Sequence, residues 1–236
     1  MPDMLKVKNL VSGYEKVMIL HGINIDIKNG EIVSVIGRNG VGKSTLMKTV
    51  IGLVKVSEGI IECEGEDITA KKAYERAWRG LGYVPQGHLV FPRLTVEENL
   101  MMGENINKVK GKKPDYNLIY EYFPRLKERR TQMAGTMSGG EQAMLSIGRV
   151  LTGNLKIMLL DEPSEGVQPN IVEQIGDIIL RINKELGISV LLVEQHIGLI
   201  QQVSQRCYAM DKGVVQNLLM RDELLQYEEI KKYLSV

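Results

Sequence analysis

The stretch Gly37-Arg38-Asn39-Gly40-Val41-Gly42-Lys43-Ser44-Thr45 constrains this chain more than any other. It follows the apolar run Ile32-Val33-Ser34-Val35-Ile36 and leads into Leu46-Met47-Lys48-Thr49-Val50-Ile51, so the order reads buried strand, glycine-rich turn, helix. The spacing is G-x-x-x-x-G-K-S, the P-loop, in which glycines let the backbone wrap a phosphate chain and turn its N–H groups inward. Lys43 is expected to reach the β- and γ-phosphates and the Ser44 hydroxyl a Mg²⁺, while the helix presents its positive N-terminal end to the anion. A strand-to-helix turn that is glycine-rich by chance is the competing reading, and the full spacing in this context weighs against it.

The chain has 236 residues, enough for one large α/β domain with a sizeable core. Its 30 lysines and arginines nearly balance 29 aspartates and glutamates, which gives no support to a general nucleic-acid or membrane-surface binder. Cys63 and Cys207 lie far apart in apolar, strand-like contexts without metal-ligand spacing and read as buried free thiols. No apolar stretch is long enough to span a membrane, and Met1-Pro2-Asp3-Met4 does not resemble a leader. The expectation is a soluble, cytoplasmic chain.

In chain order, Met4–Val11 and Ile23–Lys28 alternate apolar and polar residues, as in strands of a half-solvated antiparallel sheet. Tyr14, between them, is either an adenine-stacking aromatic or a packed turn tyrosine. Residues 59–65 read as a strand, Ala73–Arg79 as a short helix whose Trp78 is assigned to the core, and Leu81–Gln86 as a strand with a terminal glutamine that is by default a loop residue. Thr95-Val96-Glu97-Glu98 is a capping box. Lys108–Lys113 is a break, and Tyr116–Arg130 is helical apart from Pro124. This helical stretch interrupts the strand–helix alternation and reads as an inserted subdomain, at about 87–152, within a single domain spanning 1–236.

Ser138 then reads as the N-cap of a helix around Gly139-Gly140-Glu141-Gln142, and the open backbone N–H groups there make either a second anion site or, taken alone, an ordinary capped helix. Lys156–Leu160 is a buried strand ending in Asp161-Glu162. Asp161 is placed for the Mg²⁺ shell at the strand's carboxyl end, and Glu162 for polarising an attacking water. Ile171–Leu186 is an amphipathic helix, and Ile188–Val193 a second buried strand ending in Glu194-Gln195-His196, where a polar side chain could sense a γ-phosphate. Arg206–Met210 and Val214–Leu219 flank a turn, and Arg221–Tyr233 reads as a charged C-terminal helix.

Gly37–Thr45, Gln86, Met137–Gln142 and Ile157–Glu162 occur in the order and context of the ATP-binding subunits of ABC transporters, and the resemblance spans nearly the whole chain. It implies an α/β P-loop NTPase core with a mixed, mainly parallel sheet, an N-terminal antiparallel β subdomain and an inserted α-helical subdomain. It also implies two ATPs sandwiched in a head-to-tail dimer, each between one subunit's P-loop (Gly37, Arg38, Asn39, Gly40, Val41, Gly42, Lys43, Ser44, Thr45) and the other's Ser138, Gly139, Gly140 and Glu141. Tyr14 is then the adenine-stacking residue, and Ser44, Gln86 and Asp161 face the Mg²⁺. Lys43, Glu162 and one of Gln195 or His196 serve catalysis. The implied partners are a second ATPase subunit, identical or different, transmembrane permease subunits and, indirectly, a solute-binding protein, with no nucleic acid. The chain would sit on the cytoplasmic face of the membrane through the permease.

Two places depart from the general pattern. Pro163-Ser164-Glu165-Gly166-Val167-Gln168-Pro169 lacks the usual interface aspartate, and Gln195 falls where the family carries its switch histidine, with His196 one position later. Both departures, with Phe91–Leu100, are similar to the branched-chain amino-acid importer branch. Pro85-Gln86-Gly87 and Glu165–Pro169 look more like its urea or short-amide members. The competing class is a non-transport ATPase for DNA maintenance or translation. The segment between Gly87 and Gly135 is too short for the coiled coil of the first, and the single motif set departs from the second.

Overall fold

The structure, a computed structural model, describes residues 3–104 and 114–234. The break expected at Lys108–Lys113 lies outside the described residues.

Alternating burial in β1 (Leu5–Tyr14) and β2 (Val17–Ile27) sends one face inward, and the two strands pair antiparallel up to a tight turn beside Tyr14. Both run further than the alternation suggests. After β3 (Ile32–Ile36), in which every residue is buried, comes α1 (Lys43–Ile51). β4 (Val56–Cys63) then pairs antiparallel with β1 and with the short β5 (Glu66–Asp67). The result is a four-stranded antiparallel sheet in the order β2-β1-β4-β5.

The six residues of α2 (Ala73–Trp78) correct the placement of Trp78. Arg76 is 2% exposed and holds the inward position, whereas Trp78 is 58% exposed and stacks edge-on against Tyr74. Residues two apart on a helix point away from each other, so burying Arg76 turns Trp78 outward. The Arg76 guanidinium donates to the carbonyls of Thr49, Val50, Thr69 and Lys71, closing the C-terminal end of α1.

Between β6 (Leu81–Val84) and β7 (Ile157–Asp161) lie α3 (Val96–Gly103), α4 (Tyr116–Tyr122), α5 (Pro124–Glu128) and α6 (Gly139–Leu151). Thr95 caps α3 with the expected reciprocal box, its side chain accepting from Glu98 N. α7 (Pro169–Leu186) follows β7, and β8 (Ser189–Val193) is wholly buried. The chain ends through α8 (Ile197–Val203), β9 (Arg206–Asp211), β10 (Val214–Met220), α9 (Arg221–Leu224) and α10 (Tyr227–Lys231). The C-terminal segment is thus two short helices rather than one. Leu224 and Ile230 are both fully buried in one cluster with Leu219 and Ile200, and positions six apart in a continuous helix fall on different faces.

The second sheet runs β10-β9-β3-β8-β7-β6, parallel except for β10. Its central strands β3, β7 and β8 are buried along their whole length because both faces are covered. Met158, Leu160, Val190 and Leu192 face the α3–α7 side. Ile157, Leu159, Leu191 and Val193 face α1 and the antiparallel sheet. Cys63 and Cys207 are buried free thiols, and burial pushes the Cys63 thiol up to about 11. This topology brings the carboxyl ends of β3, β6, β7 and β8 together, where open α/β sheets bind ligands.

Candidate active site

β3 delivers the loop 37–42 to the N-terminus of α1. Gly40 and Gly42 have φ of 81° and 109°, a region that side chains avoid. At Gly37 a Cβ would lie 2.2 Å from Met210 O, so the loop can only pass under β9 with glycine there. Lys43, 4% exposed, folds its ammonium back over the loop and donates to Gly37 O at 2.8 Å and Arg38 O at 2.9 Å. The same Nζ lies 3.2 Å from Glu162 Oε1.

β7 places the two carboxylates. Asp161 is 1% exposed and accepts from Ser44 Oγ at 2.9 Å and from the Tyr83 hydroxyl at 3.0 Å. Burial pushes its carboxyl up, and the Ser44 and Tyr83 hydrogen bonds oppose that push. Glu162 leaves the strand in a left-handed turn, φ 48°, with its N–H on Val193 O at 2.9 Å. A non-glycine residue costs about 1–2 kcal/mol there, and the turn swings the Glu162 carboxylate back toward Lys43.

Two glutamines meet that carboxylate from other strand ends. Gln86, beyond β6, donates from Nε2 to Oε2 at 3.2 Å. Gln195, beyond β8, donates from Nε2 to Oε1 at 2.9 Å and to Asn39 Oδ1 at 2.6 Å. His196 points elsewhere: it is exposed, and its Nδ1 accepts from Leu199 N at 3.1 Å as the N-cap of α8. The preceding Glu194, 2% exposed, accepts from the backbone N–H groups of Gln195, His196 and Ser164 at 2.7, 3.0 and 3.3 Å. Burial pushes the Glu194 carboxyl up against those bonds. Glu194 thereby ties the end of β8 to the loop after Glu162.

The structure thus gathers Lys43, Ser44, Asn39, Gln86, Asp161, Glu162 and Gln195 into one site. Tyr14 lies at the end of β1, 46% exposed. Ser138–Glu141 lie apart: among the described residues no hydrogen bond or ion pair joins them to the P-loop. Ser138 caps α6 in a box in which Glu141 Oε2 accepts from Ser138 N at 3.0 Å and Ser138 Oγ at 2.9 Å, while Glu141 Oε1 pairs with Arg129 at 3.1 Å. Gly140 packs on α7, where a Cβ would meet Ile171 Cγ2 at 2.6 Å. Tyr83 and Glu194 carry no sequence signal for their contacts with Asp161 and Ser164, which lie 78 and 30 residues away.

Among the described residues no group of three or more His, Cys, Asp or Glu could hold a metal. What the site offers a cation is the Ser44 and Asp161 oxygens with the Gln86 amide nearby. That donor set suits a hard ion that keeps several waters and shares phosphate oxygens.

A P-loop facing a strand-end Asp-Glu pair on a mainly parallel sheet defines a nucleoside-triphosphate-hydrolysing protein. The ABC transporter model matches residues 20–165, and the chain belongs to that family as an ATPase. It is similar to the high-affinity branched-chain amino acid transport ATP-binding protein BraG of Pseudomonas aeruginosa, 43% identical over 210 residues, covering 89% of this chain and 90% of that one. It is also 35% identical to the probable branched-chain amino acid transport ATP-binding protein LivF of Archaeoglobus fulgidus, covering 97% of each chain. A dimeric ATP-binding cassette in a post-hydrolysis state, bound to ADP and Pi, superposes with a TM-score of 0.82 at 26% identity, covering 92% of this chain and 99% of that one.

Proposed function

We propose that this chain is the motor subunit of an importer for branched-chain amino acids or similarly small solutes, drawing its power from ATP hydrolysed with Mg²⁺ in a composite site between two ATPase subunits. The observation that carries the reading is the Glu162 carboxylate. It is held at once by Lys43 of the P-loop, by Gln86 and by Gln195, so the hydrolytic base touches every segment that must sense the γ-phosphate.

In this reading the P-loop N–H groups and Lys43 bind the triphosphate, and Lys43 exchanges its carbonyl acceptors for phosphate oxygens. Ser44 and Asp161 hold the Mg²⁺, with Gln86 beside them. When bound, the ion neutralises charge that develops on the phosphate oxygens. Glu162 orients and polarises the attacking water. Gln195, rather than His196, occupies the γ-phosphate-sensing place, because its amide already lies on both Glu162 and Asn39. Tyr14 stacks on the adenine from the free end of β1.

Ser138, Gly139 and Gly140 serve the partner subunit's nucleotide, with Glu141 holding the Ser138 cap. Their separation from this chain's own P-loop supports a site completed by a second copy or a different ATPase subunit. The helical region at about 87–152 is the part that engages permease subunits, and through them a solute-binding protein. Among the described residues no helix is long and apolar enough to cross a membrane, which fits a subunit held on the cytoplasmic face by its permease. The named relatives favour branched-chain amino acids as the solute over urea or short amides.

The test is light scattering of Glu162→Gln with and without Mg·ATP. An ATP-dependent dimer that disappears when Ser138 is also changed to Arg supports the sandwich. A variant that binds ATP and stays monomeric overturns the homodimer and directs the search to a second, different subunit.

A further inference from the structure

Ser138 stands at the N-terminus of α6 with its donors already engaged. Its N–H and its hydroxyl both go to Glu141 Oε2, at 3.0 and 2.9 Å. A carboxylate has no hydrogen to give, so the Ser138 hydroxyl donates its single one to Glu141. A phosphate oxygen is likewise only an acceptor. Glu141 and an incoming phosphate therefore compete for the same two donors, and an uncompensated carboxylate at that place repels a polyanion.

The opposing charge comes from the end of α5. Arg129 Nε lies 3.1 Å from Glu141 Oε1, the oxygen that Ser138 does not use. The Glu141 side chain is 17% exposed, so its charge is mostly out of water, and among the described residues Arg129 is the only cation in ion-pair range of it. Arg129 is itself fixed: its Nη1 donates to Gln132 Oε1 at 3.2 Å, and Gln132 Nε2 donates to Thr136 Oγ1 at 2.8 Å. Main-chain bonds from Val96 N to Gln132 O and from Glu97 N to Arg130 O pin this segment to the first turn of α3. A planar guanidinium anchored in this way holds Glu141 at little further entropic cost.

We propose that Arg129 is a positioning residue for the composite site: it offsets the charge of Glu141 and weakens that carboxylate's hold on Ser138, so that Ser138 can turn its donors to the partner subunit's nucleotide. The inference rests on the assignment of Ser138, Gly139 and Gly140 to that nucleotide given above. Arg129 touches neither the nucleotide nor the attacking water in this role; it acts through Glu141.

Steady-state phosphate release by the full chain, read together with equilibrium binding of a fluorescent ATP analogue, separates this role from simple bracing. Arg129→Gln is expected to lower the release rate roughly fivefold at low ionic strength, while nucleotide binding at the chain's own P-loop stays within about twofold. The ratio of parent to variant should shrink in about 0.5 M salt, which screens the orphaned charge. Arg129→Lys keeps the charge and is expected to retain most of the rate. Adding Glu141→Gln to Arg129→Gln removes the uncompensated carboxylate yet leaves Ser138 an acceptor, and most of the lost rate should return. A pair that only braced the fold would show no such recovery, because its ion pair is still missing. If Arg129→Gln does not fold, Arg129→Ala with and without Glu141→Gln makes the same comparison. A single-variant rate within about twofold of the parent overturns the proposal, as does a double variant no faster than the single one. Ser138→Arg is measured alongside: hydrolysis that persists there would show that the composite-site assignment has failed and the proposal with it, whereas loss there with an unaffected Arg129→Gln rejects the role of Arg129 alone.

Discussion

Gln195 Nε2 lies 2.9 Å from Glu162 Oε1 and 2.6 Å from Asn39 Oδ1, so one amide joins the end of β8 to the carboxylate just beyond β7 and to the loop after β3. His196, its neighbour, is turned to the N-terminus of α8. Gln195→Ala is expected to lower kcat about tenfold with little change in nucleotide affinity, because it removes a donor that orients Glu162. His196→Ala should leave hydrolysis within about twofold and cost about 1 kcal/mol of stability as a lost helix cap. Parallel phosphate-release and urea-unfolding measurements on the two variants decide between them, and a kinetic defect confined to His196→Ala would reverse the assignment.

Glu162→Gln keeps the bulk and hydrogen-bonding reach of the side chain and removes its basicity. A fall in kcat of about 10²–10⁴ is expected, with nucleotide binding retained. Single-turnover hydrolysis together with equilibrium binding of a fluorescent ATP analogue reads both quantities.

Tyr83→Phe takes from Asp161 one of its two side-chain donors and leaves Ser44. Both donors favour the ionised carboxylate, so losing one moves an already raised pKa further up. At a given pH less Asp161 is ionised, and the acid limb of the Mg²⁺-dependent rate should move to higher pH. The accompanying loss of stability should be about 1–3 kcal/mol. An acid limb that stays in place would show that Asp161 does not govern the metal requirement.

Arg76 is the largest fully buried polar side chain, and its four hydrogen bonds go to main-chain carbonyls at the end of α1 and around α2. Arg76→Ala leaves those carbonyls without a donor as well as opening a cavity. We expect a loss of about 3 kcal/mol or more in urea unfolding. Arg76→Lys should recover little, because an ammonium cannot spread its donors as the planar guanidinium does.

Arg206 joins the two sheets: it donates to Asp26 Oδ2 at 2.8 Å and Glu31 Oε1 at 2.6 Å. The Arg206 hydrogen bond holds the Asp26 carboxyl below its ordinary value. Folded Asp26 therefore takes up its proton less readily than unfolded Asp26. Its contribution is fully present above about pH 4 and is lost as the pH falls through the depressed value. Chemical unfolding of Asp26→Asn between about pH 5 and 2 should show a shallower fall in stability than the parent protein. Equal slopes would mean that the pair contributes nothing through ionisation.

Much of this protein was legible in local pattern. The mostly apolar runs of β3, β7 and β8 marked strands covered on both faces. The glycine spacing before Lys43 and the paired acids after Leu160 placed a glycine loop and two carboxylates at strand ends, because each is set by neighbours along the chain. The alternation in β1 and β2 showed the antiparallel sheet, though not its full extent.

The remainder depended on which strand ends lie side by side. Whether Gln195 or His196 meets Glu162, and that Tyr83 reaches Asp161, are contacts across 33 and 78 residues of chain. They follow from the order β3-β8-β7-β6, which brings those carboxyl ends together. Trp78 was assigned to the core on hydrophobicity, and the helix turned it outward because Arg76, with four carbonyls to satisfy, took the buried face. Sequence by itself determined what each segment can form, since secondary structure and phosphate-loop chemistry are set over a few residues. Tertiary structure alone decided which side chains share a carboxylate, since a hydrogen bond acts over 3 Å of space regardless of the length of chain between its partners.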